Sequence, residues 1–206
     1  MGRIIIVIII GYLFGCIQTS YILGKTLRKV DIRSLGNGNA GASNATIELG
    51  WKYGIAVALI DILKAVFSIL IIKSLYHSQV SDSFLLFLLF LNGFFVIIGH
   101  DYPFYLNFKG GKGTASLIGM LLIIDIRLGL IGILSIVLIT VITDYIALGT
   151  LGLLLSLILS TIIFNYNLGC IILAIAIGIL STYKHLANIK NIMSGRETGL
   201  REALNR

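Results

Sequence analysis

Long apolar stretches, broken by single polar residues, dominate the chain. The first begins at Ile4 and runs to about Gly24, and others follow at about 52–73, 83–99, 115–126, 128–143, 145–164 and 168–183. A helix needs ~20 such residues to cross a bilayer, and only the fourth stretch is conspicuously short. Continuous apolar runs read as helices, whereas barrel strands would alternate. The pattern predicts an all-α polytopic membrane bundle of about seven transmembrane helices, a single domain over residues 1–206. The first stretch is too long for a signal-peptide core and no small-residue cleavage site follows it, so it is expected to stay as a span.

Composition points the same way. Hydrophobic residues make up 57% of the chain and charged residues 12%. That charge content is about half the share of a soluble domain, and a soluble chain of this size has too little core to hide so much apolar side chain. Disorder is excluded for the same reason. Cys16 and Cys170 lie far apart inside apolar runs, with no spacing suited to zinc, and read as small core residues.

The net charge of +7 acquires meaning once it is placed on the span map. With seven crossings, one side carries Lys25, Arg28, Lys29, Arg33, Lys52, Lys109, Lys112, Lys184, Lys190, Arg196, Arg201 and Arg206, and the other only Arg3, Lys73 and Arg127. Basic flanks favour the cytoplasm. The N-terminus is therefore expected outside and the C-terminus inside, in a multi-pass protein of the cell membrane. No continuous basic face remains for nucleic acid. Asp61 and Lys64 stand three apart within one span, on a shared helix face. Such a pair reads either as an internal salt bridge that fixes packing or as a site or ion-path element.

Three polar islands interrupt the pattern, all on the basic side. Gly36-Asn37-Gly38-Asn39-Ala40-Gly41-Ala42-Ser43-Asn44 contains a G-x-G-x-x-G, but spans flank it, and a dinucleotide fold would need a strand before it. Its backbone still suits close approach to a phosphate. Gly99-His100-Asp101-Tyr102-Pro103 leads to Lys109-Gly110-Gly111-Lys112-Gly113-Thr114. This departs from a P-loop, because Gly113 follows the lysine and Leu106 stands at the first glycine position. Two lysines in glycine-rich backbone nevertheless suit an anion, and His100 is a candidate acid/base. The third island is Lys184-His185-Leu186-Ala187-Asn188-Ile189-Lys190 with Gly195-Arg196-Glu197.

Together the islands resemble the bacterial PlsY family of integral-membrane acyltransferases. The second island carries most of the likeness: Gly99, His100, Pro103, Phe108, Lys109, Gly110, Gly111, Lys112 and Gly113 fit the family's motif in order. The resemblance implies transfer of a fatty acyl group from acyl phosphate to the sn-1 hydroxyl of glycerol 3-phosphate. The product would be lysophosphatidic acid for phospholipid synthesis, with no metal or organic cofactor. The implied partners are those two small molecules and the bilayer, with room for association with an enzyme that makes acyl phosphate.

The resemblance also implies roles. His100, Lys112 and Asn188 would be catalytic. Gly36, Gly38, Asn39, Gly41, Asn44, Lys109, Gly110, Gly111, Gly113, His185 and Glu197 would bind substrate or phosphate, and Asp61 and Lys64 would be a structural intramembrane pair. The chain departs from the family pattern at Asn37 for serine, at Ile47 for a phosphate-contacting arginine, and at Asp144 and Ala147 for an arginine and a serine. Cys16, Gln18, Ser43 and Asn191 differ too. Arg33 or Lys52 would have to supply the cation missing at Ile47. The alternative reading is a catalytically impaired paralogue that binds lipid phosphate or a partner, or uses another acceptor. A small transporter is a third reading, resting on Asp61 and Lys64 alone.

Overall fold

Residues 1–204 are described by the computed structural model. Their helices are α1 (Gly2–Gly15), α2 (Thr19–Leu23), α3 (Ala42–Leu49), α4 (Trp51–Tyr76), α5 (Asp82–Asp101), α6 (Thr114–Ile124), α7 (Ile126–Thr143), α8 (Ile146–Ile163), α9 (Leu168–Met193) and α10 (Leu200–Leu204). Among these residues there are no strands. The helices are apolar nearly all round. Leu130, Leu134, Val137 and Leu138 point outward from α7, while Asp61, Lys64, Ser68 and Asn92 are buried. Polar groups inside and apolar groups outside is the arrangement lipid demands.

Six segments are long and apolar enough to span a membrane: 2–28, 51–76, 82–106, 126–143, 146–163 and 168–193. The short fourth stretch becomes α6, 11 residues long, or roughly 16 Å against about 30 Å of hydrocarbon. It nevertheless completes the crossing, from a start within the bundle to the far end. At its start, Ser116 Oγ donates to the Asp61 carbonyl (3.2 Å). Just beyond its far end, Asp125 accepts from Tyr166 Oη (2.7 Å), and Tyr166 adjoins Asn167, which bonds Ser83 at the beginning of α5.

A short helix suffices because the preceding loop dips inward. Gly110 N–H donates to the Asp101 carbonyl (3.1 Å) and Gly111 N–H to that of His100 (3.0 Å), and both glycines are buried. Asn107 (φ 54°) and Phe108 (φ 57°) turn the chain through the left-handed region, a strained backbone kept at a site that over-determines it. The six long segments plus α6 thus take the chain through the bundle seven times. The N-terminus and residue 204 lie at opposite ends.

The first span is not continuous. α1 stops at Gly15, and after Cys16–Gln18 the chain resumes as α2 and a π-helical turn over Gly24–Arg28. The carbonyls freed at the break are taken by Lys64, whose ammonium donates to Ile17 O (2.8 Å) and Gly15 O (3.2 Å). α1 crosses α5 through glycine. A Cβ at Gly15 would collide with the Val96 carbonyl, and one at Gly99 with that of Tyr12. Small residues permit this closeness between membrane helices. The core behind the crossing holds Val7, Ile69, Leu88, Phe90, Met120 and Leu153.

Candidate functional site

All three polar islands meet at the same end of the bundle, around one cavity of about 400 Å³. The first docks on the second through Ala40 N–H to the Gly110 carbonyl (3.3 Å). The third arrives on the last three turns of α9 and the segment just after it. Asn39, Gly41, His100, Lys112, Gly113, His185, Asn188 and Glu197 line the cavity, together with Asp61. Lys109, Gly36, Gly38, Asn44, Gly110, Gly111 and Lys64 do not.

Those behind the wall act on the loops. Buried Asn44 accepts from Asn37 N–H (2.9 Å) and donates to the carbonyls of Ile32, Leu35 and Asn39 (3.0–3.1 Å). Gly38 N–H donates to Leu35 O (3.0 Å) and Gly41 N–H to Asn39 Oδ1 (3.1 Å). With the Gly110 and Gly111 bonds above, these amides are committed to the fold. Of the glycines expected to bind phosphate, Gly38, Gly41, Gly110 and Gly111 thus have their N–H groups engaged within the loops.

Other donors face the cavity, and the sequence pattern did not single them out. Ala42 and Ser43 open α3, Thr114 and Ala115 open α6, and all four line the space. The first N–H groups of a helix lack intrahelical partners and carry the positive end of its dipole. Two such starts converge on one cavity with Lys112. Recognising a short helix after each glycine run was the available signal.

Lys112 donates to Asn188 Oδ1, and Asn188 Nδ2 donates to Glu197 Oε1 (2.5 Å). Burial pulls the Lys112 ammonium down to about 8, against the opposing attraction of the Glu197 carboxylate. Among the described residues Lys112 is the one lysine or arginine lining the cavity. Arg33 is spent on Asp31 (2.8 Å) and the Leu106 carbonyl (2.8 Å), and its hydrogen bonds hold the Asp31 carboxyl below the usual range. Lys52 lies over the Trp51 ring. Neither replaces the cation that Ile47 lacks, and Ile47 itself lines the cavity.

The two histidines are held differently. Lys64 Nζ lies 2.7 Å from His100 Nδ1 and 2.7 Å from Asp61 Oδ1, which also accepts from Thr19 Oγ1 (3.2 Å). The ammonium can only donate, so His100 Nδ1 accepts and Nε2 carries the hydrogen. That Nε2 packs on Gly111, where a Cβ would collide with it. His185 Nδ1 lies 2.8 Å from the Ser181 carbonyl and must donate to it. In the neutral ring this leaves Nε2 as a lone-pair acceptor, on a side chain that lines the cavity.

Comparison with known proteins identifies this arrangement. Residues 5–195 match the glycerol-3-phosphate acyltransferase family. The chain belongs to that family. It is 45% identical over 197 residues to glycerol-3-phosphate acyltransferase 1 of Oceanobacillus iheyensis, covering 95% of this chain and 94% of that one. The Aquifex aeolicus glycerol-3-phosphate acyltransferase is 33% identical over 195 residues, covering 95% and 98%. Crystal structures of PlsY, an integral membrane glycerol 3-phosphate acyltransferase, superpose closely. The glycerol 3-phosphate form gives a TM-score of 0.85 at 32% identity, covering 95% of this chain and 94% of that one. The lysophosphatidic acid form gives 0.83 at 31%, covering 98% and 99%. The chain is thus an integral membrane protein of an acyltransferase family, and the paralogue reading is not favoured.

Proposed function

We propose that the cavity transfers a fatty acyl group from acyl phosphate to the sn-1 hydroxyl of glycerol 3-phosphate, yielding lysophosphatidic acid and inorganic phosphate. The observation that carries the reading is the convergence of Lys112 and the first turns of α3 and α6 on one partly apolar cavity. Lys112 and these helix starts hold phosphate oxygens. The Lys112–Asn188–Glu197 chain fixes the ammonium. The acceptor hydroxyl donates a hydrogen bond to His185 Nε2, and its oxygen attacks the acyl carbonyl. The new ester C–O bond forms as the bond to the phosphate oxygen breaks, and the hydroxyl proton leaves with the phosphate. His100 acts by positioning, since it joins the Asp61–Lys64 pair to the lysine loop. Lys109, exposed on the outer side of the loop, attracts the anionic substrates.

The end that holds the cavity also gathers most of the lysines and arginines, which supports a cytoplasmic site with the N-terminus outside. Acyl phosphate would reach it from the enzyme that makes it, by direct association or through the membrane surface. The test is acyl transfer by the purified protein. Lys112→Ala is expected to lower kcat by roughly 10²–10³, as loss of a donor to developing negative charge does. Full activity in Lys112→Ala would remove the phosphate cradle from the account.

A further inference from the structure

The segment after α9 crosses the cavity and is pinned on both sides. At one end Glu197 accepts from Asn188 (2.5 Å). At the other, Asp144 holds the start of α10: its carbonyl accepts from Leu200 N–H (2.7 Å) and its Oδ1 from Arg201 N–H (3.0 Å). The Arg201 guanidinium returns to the Val141 carbonyl (3.1 Å). Asp144 serves from the left-handed turn between α7 and α8 (φ 71°).

This strap changes the character of the cavity. Leu200, Ala203 and Leu204 line it together with Ile47 and Ile146, and α10 packs on α3, the helix that carries Ile47. Ile47 and Ala147 are two of the positions where polar residues were expected, so an apolar wall stands there. The wall continues to a mouth where Trp51 (51% exposed), Ile55 (51%) and Leu204 (53%) show apolar surface to the surroundings of the bundle. In a membrane those surroundings are hydrocarbon.

We infer that α10, latched by Asp144, is the wall against which the acyl chain lies as it passes from the cavity into the bilayer, so that this strap sets acyl-chain preference. The inference rests on the acyltransferase reading and adds to it which surface carries the chain. Phosphate is bound at the Lys112 side, and the methylenes run between α10 and the first turns of α4.

The test compares palmitoyl phosphate with octanoyl phosphate as donors to glycerol 3-phosphate, using full-length protein in the same vesicles. Ala203→Trp fills the path next to the wall. It should lower the palmitoyl-to-octanoyl ratio of kcat/KM roughly tenfold, the worth of about two buried methylenes. Leu204→Ser, at the exposed mouth, and Asp144→Ala, which removes the side-chain half of the latch on Arg201 N–H, should shift the ratio in the same direction without touching the core. They decide the matter where Ala203→Trp fails to fold. An unchanged ratio in these variants, whatever the fall in rate, would overturn the inference and leave the strap a structural brace. Absence of transfer by the wild-type protein from either donor would overturn the acyltransferase reading itself, and this inference with it.

Discussion

Removing the Lys64 ammonium while keeping its length, as Lys64→Met, tests the centre of the fold. Its side chain is 2% exposed and within 3.2 Å of four acceptors: Asp61 Oδ1, His100 Nδ1 and the carbonyls of Gly15 and Ile17. The substitution strands the Asp61 carboxylate, itself 2% exposed, with only Thr19 as a donor. Breaking one side of a buried ion pair costs about 3–5 kcal/mol. It also strips the carbonyls at the break after α1. Asp61→Asn with Lys64→Met removes the stranded charge but leaves those carbonyls unserved. The double variant should therefore be less destabilised than the sum of the singles, by roughly 1–3 kcal/mol of coupling. Equilibrium unfolding in mixed detergent micelles reads all four corners of the cycle. A Lys64→Met cost below about 1 kcal/mol, the worth of an exposed pair, would refute the claim that this network holds α1, α4 and α5 together.

Further consequences concern the site and the helix ends. Lys112 is an ammonium below about pH 8 and an amine above it. Phosphate affinity should fall as pH rises through that value, and Lys112→Arg should move this alkaline limb up by several units, because guanidinium stays charged; a limb that stays put would assign it elsewhere. Glu197→Gln keeps the acceptor for Asn188 but removes the charge that favours the Lys112 ammonium, so the limb should shift toward lower pH in a rate profile. Asp125 accepts from Arg127 N–H (2.9 Å) at the start of α7. Asp125→Ala should cost about 2 kcal/mol, measured by unfolding, as a lost cap and a lost hydrogen bond from Tyr166 Oη, while the exposed Arg127 pair adds little.

Much of the fold was legible because membrane helices advertise themselves by length and hydropathy. The short fourth stretch was visible too, though its meaning was not. That a loop at Gly110 and Gly111 sinks into the bundle and spares α6 half a crossing depends on contacts remote in sequence. The same holds for the break after Gly15, which Lys64 repairs from another helix. At the site, the islands marked the right segments but not which groups face inward. Glycine runs suggested free amides, whereas the fold spends those of Gly38, Gly41, Gly110 and Gly111 on itself and presents helix starts instead. His100 and His185 look alike in sequence and are separated only by what lies at Nδ1, a lysine in one case and a carbonyl in the other. Ile47 and Ala147 read as losses from a motif. In three dimensions they share a wall with α10.

The most direct test of the account follows phosphorus by NMR while purified protein in vesicles is given palmitoyl phosphate and glycerol 3-phosphate. The acyl phosphate and glycerol 3-phosphate signals should fall together as inorganic phosphate and lysophosphatidic acid rise in equal amounts, and Lys112→Ala should nearly abolish the change. Release of inorganic phosphate without a matching lysophosphatidic acid signal, or no reaction at all, would contradict it.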